Sequence, residues 1–176
     1  WSLEMTDTQH PCSGISNWKA STAAAGGTPG KRNSNDAPNP DQTVPRLLHA
    51  YATDSVNITL VFEEPLLPGT ATNAAAYSIS DGIGSPLTAT PVAPGFDRVS
   101  LNFLTPLLRN KIYVVTVTGL TDCAGNPFGT ANTARVGLYE PLLRTDIVIN
   151  EILFNPPSTS VDYIEIYNRS EKIITL

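Results

Sequence analysis

Charge is scarce in this chain: Asp, Glu, Lys and Arg make up 15% of its 176 residues, well under the usual quarter. The 11 Lys and Arg form no stripe, and the net charge is -5. A phosphate-backbone partner demands a clustered basic surface that displaces counterions, so nucleic acid is excluded. Long apolar runs are also lacking. None approaches the roughly 20 residues of a bilayer-spanning helix, and no signal-like leader opens the chain, so membrane insertion is not expected. Cysteine is limited to Cys12 and Cys123. Without a Cys-x-x-Cys spacing, zinc and thioredoxin-type sites are poorly supported. The two either close a loop of about 110 residues, worth roughly 4–5 kcal/mol by chain entropy, or stay unpaired as small apolar side chains. Histidine is limited to His10 and His49, with no His-Glu-x-x-His motif and no nucleophile motif nearby. The run Gly26-Gly-Thr-Pro-Gly30 lacks the Gly-Lys-Ser/Thr that would cradle phosphate.

What replaces charge is 15 Pro and 12 Gly with many Thr, Asn and Ser, a composition of short strands and turns rather than long helices. The organising stretch begins at Lys111. Tyr113, Val115 and Val117 alternate with Ile112, Val114 and Thr116, which predicts a central strand packed on both or nearly both faces. Asp122, Gly125 and Asn126 then supply the chemistry of a tight corner. Val56, Ile58, Leu60 and Phe62 alternate with polar partners as a half-buried strand. Strands are also expected over 45–51, 74–80, 87–92, 98–103 and 131–138. Seven short strands in about 95 residues approach the size of an immunoglobulin-like domain. The expected fold class is therefore all-β: an antiparallel, immunoglobulin-like β-sandwich over 44–140, flanked by further strands. Residues 1–34 form a separate terminal piece, 35–43 a Pro- and Asx-rich linker, and 145–176 a second terminal piece with two strands. Both ends are expected to continue in a longer chain, since the first residue is Trp1 and Leu176 closes an apolar run.

Asn150-Glu-Ile-Leu-Phe-Asn-Pro156 and Asp162-Tyr-Ile-Glu-Ile-Tyr-Asn-Arg-Ser170 resemble the opening of a bacterial lamin-tail domain. Trp1-Ser-Leu-Glu4, Asn17-Trp18, Ser21, Gly27-Thr-Pro-Gly30 and Asn33-Ser34 resemble the closing segment of the same family. Between them, Phe62-Glu-Glu-Pro-Leu66, Tyr77, Thr105-Pro-Leu107, Tyr113-Val-Val-Thr-Val117, Leu120-Thr-Asp122 and Gly125-Asn126 resemble the immunoglobulin-like modules of secreted bacterial proteins. The closing half comes first and the opening half last. The resemblance thus implies a fragment of a tandem array, with 1–34 ending one lamin-tail domain and 145–176 starting the next.

Few residues point to chemistry. Glu151, Asp162 and Glu165 are the carboxylates considered as Ca²⁺ ligands, since hard cations want several oxygens; the favoured reading is that they satisfy neighbouring Tyr, Asn or backbone groups. Glu63 and Glu64 are expected at a solvated corner. Asp122 and Asn126 are expected to form a structural Asx turn rather than a cation loop. Trp18, Tyr163 and Tyr167 are expected in the core, the alternative being an aromatic platform for sugar rings. Asn57-Ile-Thr59 and Asn168-Arg-Ser170 match a sequon common by chance. No catalytic group and no cofactor is expected. The expected role is a non-catalytic structural, spacer or adhesion module of a secreted or cell-surface bacterial protein, periplasmic or extracellular. The alternatives are a carbohydrate- or polymer-binding module, or an accessory region of a larger secreted hydrolase or nuclease. Expected partners are adjacent domains or a second copy through exposed strand edges, or an extracellular glycan or protein.

Overall fold

Period-two alternation of β-branched and aromatic residues with polar ones builds strands along the whole chain, in the order the sequence sets out. In the computed structural model every residue except Ser13, Pro156, Ser158, Thr159, Thr175 and Leu176 is described. Pro156 of the Asn-Pro-Pro turn and Leu176 of the terminal apolar run lie outside the described residues. β1 (Leu3–Met5) and β2 (Trp18–Ala20) pair antiparallel at the start of the chain. β3 (Leu47–Ala52), β4 (Asn57–Phe62), β5 (Tyr77–Ile79), β6 (Thr88–Pro91), β7 (Arg98–Asn102), β8 (Ile112–Val117) and β9 (Thr133–Gly137) follow. β10 (Ile147–Leu153) and β11 (Tyr163–Asn168) close the chain as an antiparallel pair.

The central strands form two antiparallel sheets, β3-β4-β7-β6 and β5-β8-β9. Taken in chain order this is the four-plus-three arrangement of a constant-type immunoglobulin sandwich. The fold is all-β and immunoglobulin-like. Ile58 and Leu60 of β4 and Val99 and Leu101 of β7 face Val115 and Val117 of β8, and all six are 0% exposed. The alternation therefore encodes one inward face per sheet. Tyr113, buried near the start of β8, accepts a hydrogen bond from the Leu108 backbone N–H at 3.0 Å, the local lock of a tyrosine corner. Tyr77, also buried, donates its hydroxyl to the Ala71 carbonyl at 2.7 Å, which satisfies the one polar group that this side chain carries inside.

β8 corrects one expectation. It is the middle strand of its sheet, but it packs on one face only, with Ile112 49% and Val114 42% exposed. The reason is layering: Ile112 and Val114 point to the sheet's outer side, where among the described residues no second layer packs on them along most of the strand, so they remain in contact with water.

The flanking pieces are built on different physics. Among the described residues before Pro45, the buried ones are polar: Glu4, Thr6, Asp7, Asn17 and Ser21. Asn17 is completely buried; its side-chain oxygen accepts from the Asp7 N–H at 2.7 Å and its amide donates to the carbonyls of Asp7 and His10. This lobe is thus a hydrogen-bonded knot without an apolar core. At the other extreme, none of the described residues from 141 onward is buried. The lobe and the β10–β11 hairpin attach at opposite ends of the sandwich. A Cys12–Cys123 bond ties the lobe beyond the last residue of β8, whereas Ile173 lies against Gly137, the β9 partner of Ile112, at its first. Among the described residues the two pieces form separate two-stranded sheets and do not pair with each other.

Candidate functional site

The corner beyond β8 brings three carboxylates together. Asp122 bridges to Leu66, and the Cys123 N–H reaches the Pro65 carbonyl at 3.3 Å. These contacts lay the segment leaving β4 beside the Asp122 turn. Inside that turn the Asn126 N–H and side-chain amide donate to the two Asp122 carboxylate oxygens, each at 2.8 Å. Asp122 and Asn126 thus close the corner together, though the bond spans four residues rather than the two of an Asx turn. The Asn126 amide also donates to the Asp41 carbonyl at 3.2 Å, which pulls the linker into the corner.

The result is a convergence of Asp41, Glu64 and Asp122, which place one carboxylate oxygen each within 4.8 Å of the others. Asp122 is 1% exposed. One Glu64 oxygen, Oε1, is fully buried and accepts no hydrogen bond. Burial, followed by the negative charges of Asp41, Asp122 and Glu63, pushes the Glu64 carboxyl up to about 7. No Lys, Arg or His forms an ion pair with any of the three among the described residues. This corrects the solvated-corner expectation for Glu64. Only Glu63 fits it, half exposed and 3.8 Å from Arg46. The error has a physical source: the chain bends at Glu63 and Glu64 themselves, so consecutive glutamates face different surroundings. Nothing local in the sequence marks Asp41, which the tertiary fold brings in.

The carboxylates singled out from sequence lie elsewhere. Glu151 and Glu165 sit directly opposite each other across β10 and β11, both exposed. Glu151 accepts from the Tyr163 hydroxyl and Glu165 from the Asn150 amide. Asp162 is exposed just before β11. Among the described residues, the convergent carboxylate group does not include them. His10 contacts the Asp7 carboxylate through Nδ1 at 2.8 Å, and the His49 ring stacks on Tyr51 with centroids 6.2 Å apart.

Core packing for Trp18, Tyr163 and Tyr167 is corrected: they are 46%, 43% and 57% exposed. Their strands belong to two-stranded flanking sheets with no second layer to bury them. Trp18 lines a hollow shared by Ile15, Leu67, Pro68 and Phe96 beside the disulfide, whereas both tyrosines are on the hairpin at the far end. The three do not make one platform. The disulfide links Cys12 to Cys123 with Cα atoms 5.7 Å apart, inside the range a disulfide spans.

The family described as bacterial Ig-like domain matches residues 34–138. Solved structures with the same fold include the N-terminal part of the bacterial S-layer protein SbsC. It is 25% identical, with a TM-score of 0.51, and the match covers 62% of this chain and 26% of that one. The S-layer protein rSbsC(31-844) is 24% identical with a TM-score of 0.50, covering 62% of this chain and 15% of that one. Domains 1-6 of surface layer protein SbsC are 23% identical with a TM-score of 0.50, covering 62% and 16%. The chain therefore matches about a quarter or less of the length of these proteins. A search of curated proteins gave no match.

Proposed function

We propose, from the premise that this chain belongs to the bacterial Ig-like domain family over residues 34–138, that it is a non-catalytic spacer of a bacterial cell-surface protein. The observation that carries this reading is the placement of the flanks. A sandwich with its own apolar core holds a hydrogen-bonded lobe at one end and an exposed hairpin at the other. That is the arrangement of a bead within a string of domains. In the finer form of the reading, the lobe closes one lamin-tail-like domain and the hairpin opens the next. The likeness to part of an S-layer protein supports a position at the cell surface. A disulfide across the junction suits an oxidising compartment outside the cytoplasm. Adjacent domains, or a second copy, are the partners this reading assigns to the exposed edges of β10 and β11.

The binding-module alternative needs at least two exposed aromatic faces aligned in one groove; Trp18 is on the lobe, Tyr163 and Tyr167 are on the hairpin, and Tyr51 and Tyr139, which line one hollow, are the pair it would have to use. The discriminating experiment places the purified 176-residue chain on a glycan array and in phosphodiesterase, phosphatase and glycosidase assays. The expected outcome is no retention and no turnover. Saturable binding to one glycan class, lost on Tyr51→Ala, replaces the spacer reading with a binding module.

A further inference from the structure

We infer that the isoleucine face of the β10–β11 hairpin docks on a second copy of this chain, beside β2 and over the apolar hollow around Trp18. The inference rests on the spacer reading and gives the hairpin its partner. Directly opposed residues share a side of a sheet, so Ile149 with Ile166 and Ile152 with Ile164 make one face of the hairpin. All four are exposed, while Glu151, Glu165 and Tyr163 take the other face. A sheet with an apolar face needs a second layer, and among the described residues nothing buries Ile149, Ile152 or Ile164. The lobe of the same copy does not reach them, because lobe and hairpin attach at opposite ends of the sandwich.

The seat is at the lobe end. Ile15, Trp18, Leu67 and Phe96 line a hollow of about 560 Å³ where the lobe meets the sandwich, and Ile15 is 92% exposed. Two observations select a second copy as the occupant. The first is charge. Residues 145–176 carry five acids and two bases, whereas residues 1–34 carry Lys19, Lys31 and Arg32 against Glu4 and Asp7, both of them buried. Among the described residues Lys19, Lys31, Glu151, Asp162 and Glu165 form no ion pair. The second is pattern. Trp18-Lys19-Ala20 of β2 and Ile164-Glu165-Ile166 of β11 both alternate apolar, charged, apolar, with opposite signs. Laid side by side with their apolar residues toward the hollow, the two strands bring Lys19 beside Glu165 on the outer side, where opposite charges on neighbouring strands are favourable. Two hairpins meeting edge to edge would bring glutamates together instead. The contact is therefore head to tail and does not close at two copies. A face two strands wide, with strands of 7 and 6 residues, covers on the order of 300–400 Å² per partner, at the weak end of specific interfaces. Copies held in series reach a millimolar effective concentration, at which a weak contact forms.

The test is sedimentation velocity on the whole chain with its disulfide intact. The weight-average mass should rise past that of a dimer between roughly 0.02 and 1 mM, as a weak, open-ended interface requires. Raising NaCl from about 0.05 to 0.5 M should reduce the rise by screening. Ile15→Asp in the hollow and Ile164→Asp on the hairpin should each abolish assembly alone. Mixed in equal amounts they should form a dimer and stop there, because each variant keeps the surface that the other has lost. Lys19→Glu should weaken assembly by about fivefold, and adding Glu165→Lys to the same chain should restore it; this pair keeps the isoleucines, so its outcome is independent of any fraying of the hairpin. A parent chain that stays monomeric up to about 1 mM overturns the inference and leaves the spacer reading in place. So does assembly that stops at a dimer in the parent, or that Ile15→Asp leaves intact. The spacer reading falls by glycan retention or turnover, which these masses do not measure.

Discussion

Glu4 and Asp7 sit where an apolar core would be in a larger domain, and their ionisation holds the N-terminal lobe together. Both are buried. Glu4 accepts from the Ser34 hydroxyl at 2.6 Å, the Thr28 hydroxyl at 2.6 Å and the Ser34 N–H at 2.7 Å. Hydrogen bonds from Ser34 and Thr28 pull its carboxyl down to about 2. The Asn39 N–H, then His10, do the same for Asp7, also to about 2. These folded values lie below the ordinary carboxylate range, so the unfolded chain binds more protons in acid. The stabilisation is fully present above about pH 4.5 and is lost as the pH falls toward 2. Trp1 and Trp18 are the chain's only tryptophans and both belong to this lobe. Tryptophan emission should therefore report the lobe loosening between pH 4.5 and 2 while tyrosine near-ultraviolet circular dichroism, dominated by the buried Tyr77 and Tyr113, holds longer. Simultaneous loss of both signals would show that the lobe is not a separate acid-sensitive unit. The Glu4 contacts were not legible in the sequence, because Thr28 and Ser34 reach it across a loop whose path only the fold defines.

Among the elements, β10 and β11 are the least supported. Ile149, Ile152, Ile164 and Ile166 are 61%, 53%, 62% and 45% exposed, and an isolated hairpin is marginal in water. Glu151 opposite Glu165 adds cross-strand repulsion. What steadies the pair is its base. Lys172 pairs with Asp146 at 2.8 Å, the Arg169 N–H donates to the Asp146 carbonyl at 2.7 Å, and the Glu140 N–H donates to the Ile173 carbonyl at 2.8 Å. Gly137 makes room for this return. A Cβ there would collide with the Ile173 side chain and come 2.9 Å from the Lys111 carbonyl. Amide exchange in β10 and β11 is therefore expected to be orders of magnitude faster than in β4, β7 and β8, as local opening requires little apolar contact to be broken. Gly137→Ala should speed it further while leaving β4 and β7 protected. Equal protection in hairpin and sandwich would mean that the hairpin opens only with the whole fold. The alternation in residues 163–168 did announce a strand. It did not announce that both faces would stay bare, because period two assigns sides without saying whether a second layer exists.

For the molecule as a whole, one covalent bond joins pieces of different character. Cys12 and Cys123 are separated by 111 residues, and a loop of that size restrains the unfolded chain by about 4–5 kcal/mol in the chain-entropy model. A chain of this length loses roughly 2–4 °C of melting temperature per kcal/mol. Reduction, or Cys123→Ser, should thus lower the melting temperature by on the order of 10 °C and detach the lobe, seen as altered tryptophan emission below the main transition. An unchanged melting temperature would assign the lobe's attachment to its non-covalent contacts alone. By itself the sequence determined the sandwich. The alternation in Ile58-Thr-Leu-Val-Phe62, in Val99-Ser-Leu101 and in Tyr113-Val-Val-Thr-Val117 states locally which side chains turn inward, and Pro, Gly and Asx residues state where strands stop. Only the tertiary structure decided which cysteine reading held, which aromatics stayed outside, and that Asp41, Glu64 and Asp122 meet. Those outcomes depend on segments distant along the chain being brought together by the crossing of two sheets, and alternation within any one segment carries no record of its neighbours in space.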